Sequence, residues 1–170
     1  LYNEKISYGY GSEYRYDDGE FENNGSYSAS TKGHYDNLAI YGNFGFNIFD
    51  NSNLSFFLRN DDNKKTGSNQ SNKINLEQKY KALKFGIGMM EGFRNPTIYE
   101  LYGTDNYGYA GNENLNPEKS ETKEVYLKFR IFENIDGSIR GFRTKIYDQI
   151  EYKSNKYVNN SDNLDLNQSG

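Results

Sequence analysis

Glu124-Val-Tyr-Leu-Lys-Phe-Arg-Ile131 switches between polar and apolar side chains at every step. In an extended chain Val125, Leu127, Phe129 and Ile131 share one face, and Glu124, Tyr126, Lys128 and Arg130 share the other. A helical period would scatter the four apolar residues around the axis, so the stretch is a β-strand with two unlike faces. The same alternation recurs upstream. Leu83, Phe85, Ile87 and Met89 stand against Lys84, Gly86, Gly88 and Met90, and Leu38, Ile40, Phe44, Phe46 and Ile48 against Ala39, Tyr41, Asn43, Gly45 and Asn47. Shorter cases lie at Ile6 to Tyr16, Leu54 to Arg59, Lys73 to Lys79 and Gly137 to Tyr152, which makes about seven strands in an all-β chain.

Composition agrees with strands and turns. Of 170 residues, 34% are hydrophobic and 16% aromatic, with 17 Tyr, 11 Phe, 17 Gly, 2 Pro and no Cys or Trp. The mean hydropathy of −1.02 leans toward disorder, but disordered chains are poor in aromatics. The absence of cysteine rules out disulfides and thiolate metal sites within these residues. A net charge of −4, with Lys64–Lys65 the only short basic run, gives no basic face for a nucleic acid. No run of about 18 apolar residues is present, so a helical span is excluded and a β-barrel is not. The chain opens at Leu1 without a charged and apolar leader and closes in mid-loop composition, so both ends read as cut.

The connections are read as alternating between short and long. Asp50 to Asn53, Lys79 to Lys81 and Glu133 to Asp136 are tight turns, whereas Asp17 to His34, Asp61 to Asn72, Gly92 to Glu121 and Lys153 onward are long polar loops. In an antiparallel up-and-down sheet this puts every short turn on one rim and every long loop on the other, the asymmetry of transmembrane β-barrels. Tyr16, Tyr35, Tyr80 and Tyr152 near strand ends suit an aromatic girdle. The competing reading is a soluble β-sandwich, whose strands also alternate. Seven strands cannot close a barrel, and open edges in lipid are costly, so the outer strands are expected to pair with further sequence.

Both prolines fall in one region, within Gly92-Phe-Arg-Asn-Pro-Thr-Ile-Tyr-Glu-Leu-Tyr-Gly103 and Gly111-Asn-Glu-Asn-Leu-Asn-Pro-Glu-Lys-Ser-Glu121. Proline holds the preceding residue extended and withholds a ladder donor, so the strand can leave the sheet at Pro96 and return past Pro117. Arg94 with Glu100, or Glu118 with Lys119, can pair across the rim. This two-part pattern resembles the late barrel region of TonB-dependent outer-membrane receptors. Phe93, Arg94, Pro96, Thr97, Glu100 and Leu101 match its first half, and Gly111, Asn112, Asn114, Leu115, Pro117, Glu118, Lys119 and Ser120 its second; Asn95 departs from the family's usual Ala. These residues are expected to shape the loop.

The resemblance implies that residues 1–170 are wall and loops of a barrel of about 22 strands with a plugged lumen. It implies a Gram-negative outer membrane and lipid around the wall. It also implies a plug domain and an energy-coupling segment, neither found in these residues, through which the TonB complex would act. The cargo implied is a ferric siderophore, haem or cobalamin. A passive porin or an adhesin wall is the alternative. Glu13, Arg15, Asn43, Asn47, Glu77, Lys84, Glu124, Lys128 and Arg130 form the expected lumen-facing set. Tyr99, Tyr102, Tyr107 and Tyr109 are candidate ligand contacts, because flat rings with a polar tip hold large cofactors at low entropic cost. Asp17, Asp18, Glu20 and Glu22 offer oxygen donors for Ca²⁺, but their spacing fits no EF-hand and solvated acidic loops are commoner. With His34 alone, and neither a nucleophile elbow nor a phosphate loop, no catalytic residue, metal site or cofactor is assigned.

Overall fold

A computed structural model describes residues 5–132, 135–162 and 164–169. Its elements are β1 (Ile6–Asn24), β2 (Ser28–Phe49), β3 (Ser52–Asn63), β4 (Gly67–Tyr80), β5 (Leu83–Arg94), α1 (Ile98–Tyr102), β6 (Thr104–Asp105), β7 (Glu118–Phe132), β8 (Ile135–Tyr147), β9 (Gln149–Lys153), β10 (Lys156–Asn160) and β11 (Leu164–Ser169). One antiparallel sheet runs β1-β2-β3-β4-β5-β7-β8-β11, with β6 added to β2, while β9 and β10 form a separate hairpin. Each long strand pairs with the next in sequence, the up-and-down order of a barrel wall.

Register explains the two faces. Ile6, Phe46, Leu54, Leu76, Ile87 and Val125 form one unbroken cross-strand row. The neighbouring row on the opposite face is Asn47, Asn53, Glu77, Gly86, Tyr126 and Arg140. The apolar row is exposed, with Ile87 at 56% and Val125 at 58%, whereas Asn37, Asp61 and Glu124 on the other face are buried. This inverts a soluble protein, where an apolar face of this extent would lie under a second layer. A sandwich would supply that layer; among the described residues the strands lie in one continuous sheet with the apolar face uncovered. The fold is an open segment of an antiparallel transmembrane barrel wall.

The expected lumen set lies on the polar face, where its charges pair. Arg59 bridges Asp61 at 2.8 Å and Glu13 at 3.2 Å, and Lys84 meets Glu77 at 2.9 Å. The Asn37 amide donates to Asp61 at 2.7 Å and the Tyr126 hydroxyl to Glu77 at 2.8 Å. Glu124 is bound by Arg140. Hydrogen-bonded pairing of this kind makes buried charge tolerable.

Several connections differ from expectation. Asp17 to His34 is mostly strand: β1 and β2 continue as a ribbon and turn within residues 25–27. Asp61 to Asn72 likewise belongs to β3 and β4, joined by residues 64–66. The rim asymmetry therefore consists of projecting hairpins, whose outer face lies past the apolar band and carries polar side chains, so the apolar alternation disappears although the inner face stays covered. The turn expected over Glu133 to Asp136 includes residues 133–134, which lie outside the described residues. The strand expected over Gly137 to Tyr152 breaks at Asp148, whose φ of 53° ends the extended run. Beyond it β9 and β10 turn through Ser154 and Asn155, both at positive φ as a tight hairpin requires. Among the described residues the sheet has eight strands along its path where about seven are expected, because β11 adds to β8. Two of the expected girdle tyrosines are elsewhere. Tyr35 packs against the buried Leu101 cluster, and Tyr152 packs on Tyr157.

Candidate ligand-binding site

Residues 95–117 fold back over the polar face of the projecting β1–β2 ribbon. Gly19 and Gly33 face each other across that ribbon and leave a hollow. A Cβ at Gly33 would stand 2.3 Å from the Tyr102 ring, and one at Gly19 would stand 3.2 Å from Ile98. The hollow thus seats α1.

The first half of the two-part pattern builds α1. Pro96 is buried and carries the chain off β5. Thr97 caps the helix: its hydroxyl accepts the Glu100 N–H at 3.2 Å, while the Glu100 carboxylate accepts the Thr97 N–H at 2.7 Å. This capping box satisfies two donors that the helix start would otherwise leave unpaired. Arg94 then joins the two halves, donating to Glu118 at 2.7 Å and to Glu100 at 3.0 Å. Glu118 also accepts the Ile150 N–H at 2.7 Å, which ties in β9. Burial favours the neutral Glu118 carboxyl, yet Arg94 and the Ile150 N–H outweigh it and hold the group below its ordinary value.

The second half locks onto the first. Gly111 and Asn112 donate backbone N–H groups to Gly103 at 2.6 Å and Glu100 at 2.9 Å. A Cβ at Gly111 would stand 2.4 Å from the Leu101 carbonyl oxygen, so only glycine permits this approach. The Asn112 amide donates to the Tyr157 carbonyl at 3.0 Å, and its oxygen accepts the Asn114 N–H at 3.0 Å. Leu101, Leu115 and Ile150 form the buried cluster beneath, and Pro117 is buried beside Glu118. Phe93 is not brought into this network; it lies opposite Lys119 on the outward face.

The four candidate tyrosines separate. Tyr107 is 66% exposed and stacks on Tyr27 at 5.5 Å. Tyr99 is 39% exposed and stacks on Tyr109 at 4.9 Å. Tyr109 is 4% exposed, and its hydroxyl donates to the Tyr99 carbonyl at 2.7 Å. Burial, with Tyr99 and Tyr157 nearby, pushes its phenol above the ordinary value. Tyr109 thus packs within the loop, its ring and its polar tip both occupied. Tyr102 lies over Gly33 with the Lys65 ammonium 5.3 Å from its ring centre. Asp105 organises the tip by accepting the Tyr107 and Tyr109 N–H groups at 2.8 Å each. The Tyr109 N–H, then the Tyr107 N–H and the Tyr27 hydroxyl, keep its carboxyl below the ordinary value.

Tyr27, Tyr152 and Tyr157 complete an aromatic surface that sequence reasoning did not assemble. The acidic run does not converge. Asp17 pairs with Arg15 and Glu20 with Lys32, and alternation along β1 puts Asp17 on one face and Asp18, Glu20 and Glu22, strung along the strand, on the other. Among the described residues no group of three or more His, Cys, Asp or Glu is placed to hold a metal.

An open wall with an apolar outside, a charged inside and an aromatic, loop-covered rim defines a segment of a membrane β-barrel. The family described as TonB dependent receptor-like, beta-barrel matches residues 2–169, and the chain belongs to it. A probable TonB-dependent siderophore receptor, PirA of Acinetobacter baumannii, is 30% identical over 121 residues, covering 61% of this chain and 16% of that protein. The crystal structure of the siderophore receptor PirA from Pseudomonas aeruginosa superposes with a TM-score of 0.72 at 18% identity, over 95% of this chain and 36% of that one. The P. aeruginosa ferric enterobactin receptor PfeA, solved in complex with enterobactin, gives a TM-score of 0.69 at 12% identity, over 95% of this chain and 33% of that one. The chain thus spans about a sixth of the curated relative and about a third of these structures.

Proposed function

We propose that these strands are part of the wall of an outer-membrane receptor of a Gram-negative bacterium, one that binds a ferric siderophore at the aromatic rim and imports it with energy from the TonB system. The observation that carries this reading is the joined pattern Arg94–Glu100–Glu118, which fixes a tyrosine-lined loop over the polar face of an apolar-sided wall. The relatives named as siderophore receptors favour this cargo over haem or cobalamin. The partners are membrane lipid on the outward face, the remaining strands at the edges of β1 and β11, and a plug domain in the lumen through which the TonB complex acts. Tyr107 and Tyr99 are the proposed ligand contacts.

The test is uptake by an iron-starved bacterium that lacks its own receptors and carries the complete receptor gene. Labelled ferric siderophores are expected to accumulate, an uncoupler is expected to stop them, and haem and cobalamin are expected to stay outside. Uptake that continues unchanged with the uncoupler would instead support a passive porin.

A further inference from the structure

Lys79 of β4, Lys84 of β5 and Lys128 of β7 stand side by side in one cross-strand row, with Ser138 of β8 at its end. The row lies on the polar face, one step beyond the row of Glu77, Gly86, Tyr126 and Arg140, beside the short turn at residues 81–82 and at the rim opposite the loop. Like charges directly across a ladder repel. The nearby carboxylates are already engaged. Glu77 holds Lys84 at 2.9 Å, Asp136 holds Arg130 at 2.8 Å, and Glu124 holds Arg140 with Lys73 4.0 Å away. Lys79 and Lys128 are exposed and make no ion pair among the described residues. The Lys128 ammonium rests 5.2 Å from the Tyr126 ring centre, a contact that adds no counter-charge. On this half of the polar face six cations thus meet three carboxylates, an excess in a chain whose net charge is −4.

The wall beside the row is low. A Cβ at Gly86 would stand 2.3 Å from the Tyr126 ring, and one at Gly88 would stand 3.1 Å from the Glu124 side chain. Both side chains therefore lie over glycines, and a body in the lumen can come close to the lysines. A fixed row of like charges is relieved by a partner that stays, whereas a passing anion would leave the repulsion in place most of the time.

We propose that Lys79 and Lys128, with Lys84 between them, dock an acidic segment of the plug domain, whose Asp or Glu side chains pair with the two free ammonium groups. The docking strip rests on the plugged lumen of the proposed function and adds where, and with which charge, the plug meets this wall.

The experiment treats the complete receptor in outer-membrane vesicles with a water-soluble carbodiimide, which joins an ammonium to a carboxylate in direct contact, and reads the digest by mass spectrometry. Links from Lys79 or Lys128 to Asp or Glu of the plug are expected. In Lys79→Gln/Lys128→Gln the amides of the linked plug segment are expected to exchange roughly three- to tenfold faster, the value of two partly shielded ion pairs. Lys79→Arg/Lys128→Arg keeps both charges and is expected to keep the segment protected. If the Gln variant does not assemble, the links in the unaltered receptor decide. Links confined to carboxylates of the wall, Glu133 included, or plug exchange unchanged in the Gln variant would overturn the docking. Shielding of the two lysines from acetylation only while a ferric siderophore is bound would assign the row to cargo and overturn it as well. A complete protein without a plug in its lumen would overturn the proposed function itself.

Discussion

Arg94 and Glu118 stand directly opposite each other where β5 ends and β7 begins, with the guanidinium Nε 2.7 Å from the carboxylate. The pair closes the neck of the loop. Arg94 is 43% exposed at its side chain, but Glu118 and Glu100 are only 17% and 12% exposed. Arg94→Met would leave two shielded carboxylates facing each other. Between the small worth of an exposed pair and the cost of breaking a buried one, the loss is expected to be roughly 1–3 kcal/mol. Amide exchange of residues 95–117 is expected to speed up accordingly, with little change in β2 to β4.

The same loop should have an acid limit. The carboxyls of Glu118 and Asp105 are both held below their ordinary values in the folded state. Their contribution is complete above the unfolded carboxylate range of about 4 and is lost as pH falls through the lower folded values. Exchange protection of the loop, corrected for the intrinsic rate, is expected to be flat from about pH 7 to 5 and to fall only below about pH 4. A loss of protection near pH 6 would contradict this assignment.

Gly33 is expected to tolerate no larger side chain, since its Cβ would enter the Tyr102 ring. Gly33→Val should unseat α1 at an overpacking cost of about 1–3 kcal/mol. Gly19→Ala should cost less, because Ile98 can yield by a few tenths of an ångström. Protease cleavage between residues 98 and 112 in each variant would measure the difference.

Among the tyrosines, Tyr107→Ala is expected to weaken siderophore binding by roughly two- to tenfold, the value of one aromatic contact, with the loop unchanged. Tyr109→Phe removes the bond to the Tyr99 carbonyl and is expected to cost the loop about 1 kcal/mol. Binding isotherms and exchange rates measured on both variants separate contact from support.

The strands were legible because one side chain in two must be apolar where lipid is the neighbour. Leu83 to Met89 and Val125 to Ile131 carry that signal without interruption. Where β1 and β2 project beyond the band, from Asp17 to Asn24 and from Ser28 to His34, the outer face no longer meets lipid and the inner face is covered by a polar loop, so the apolar signal vanishes and strand reads as loop. The two-part pattern was legible through its prolines and its spacing. The joint role of Arg94 was only half visible, because the sequence pairs Arg94 with Glu100 and Glu118 with Lys119, whereas Arg94 holds both carboxylates. The burial of Tyr109 was not legible, since Tyr152 and Tyr157, which enclose it with Tyr99, come from a hairpin more than forty residues later.

The central claim is that consecutive residues of β7 face lipid and lumen in turn. Leu127→Lys is expected to impair assembly by about 2–4 kcal/mol if it lies at mid-membrane, and Lys128→Glu far less. The most direct measurement is spin-label accessibility at single positions from 124 to 129 in the complete receptor reconstituted in vesicles. Labels at Val125, Leu127 and Phe129 are expected to collide with oxygen dissolved in lipid, and labels at Glu124, Tyr126 and Lys128 are expected to be shielded from it. Equal oxygen accessibility at odd and even positions, or water exposure at Val125 and Leu127, would contradict the account.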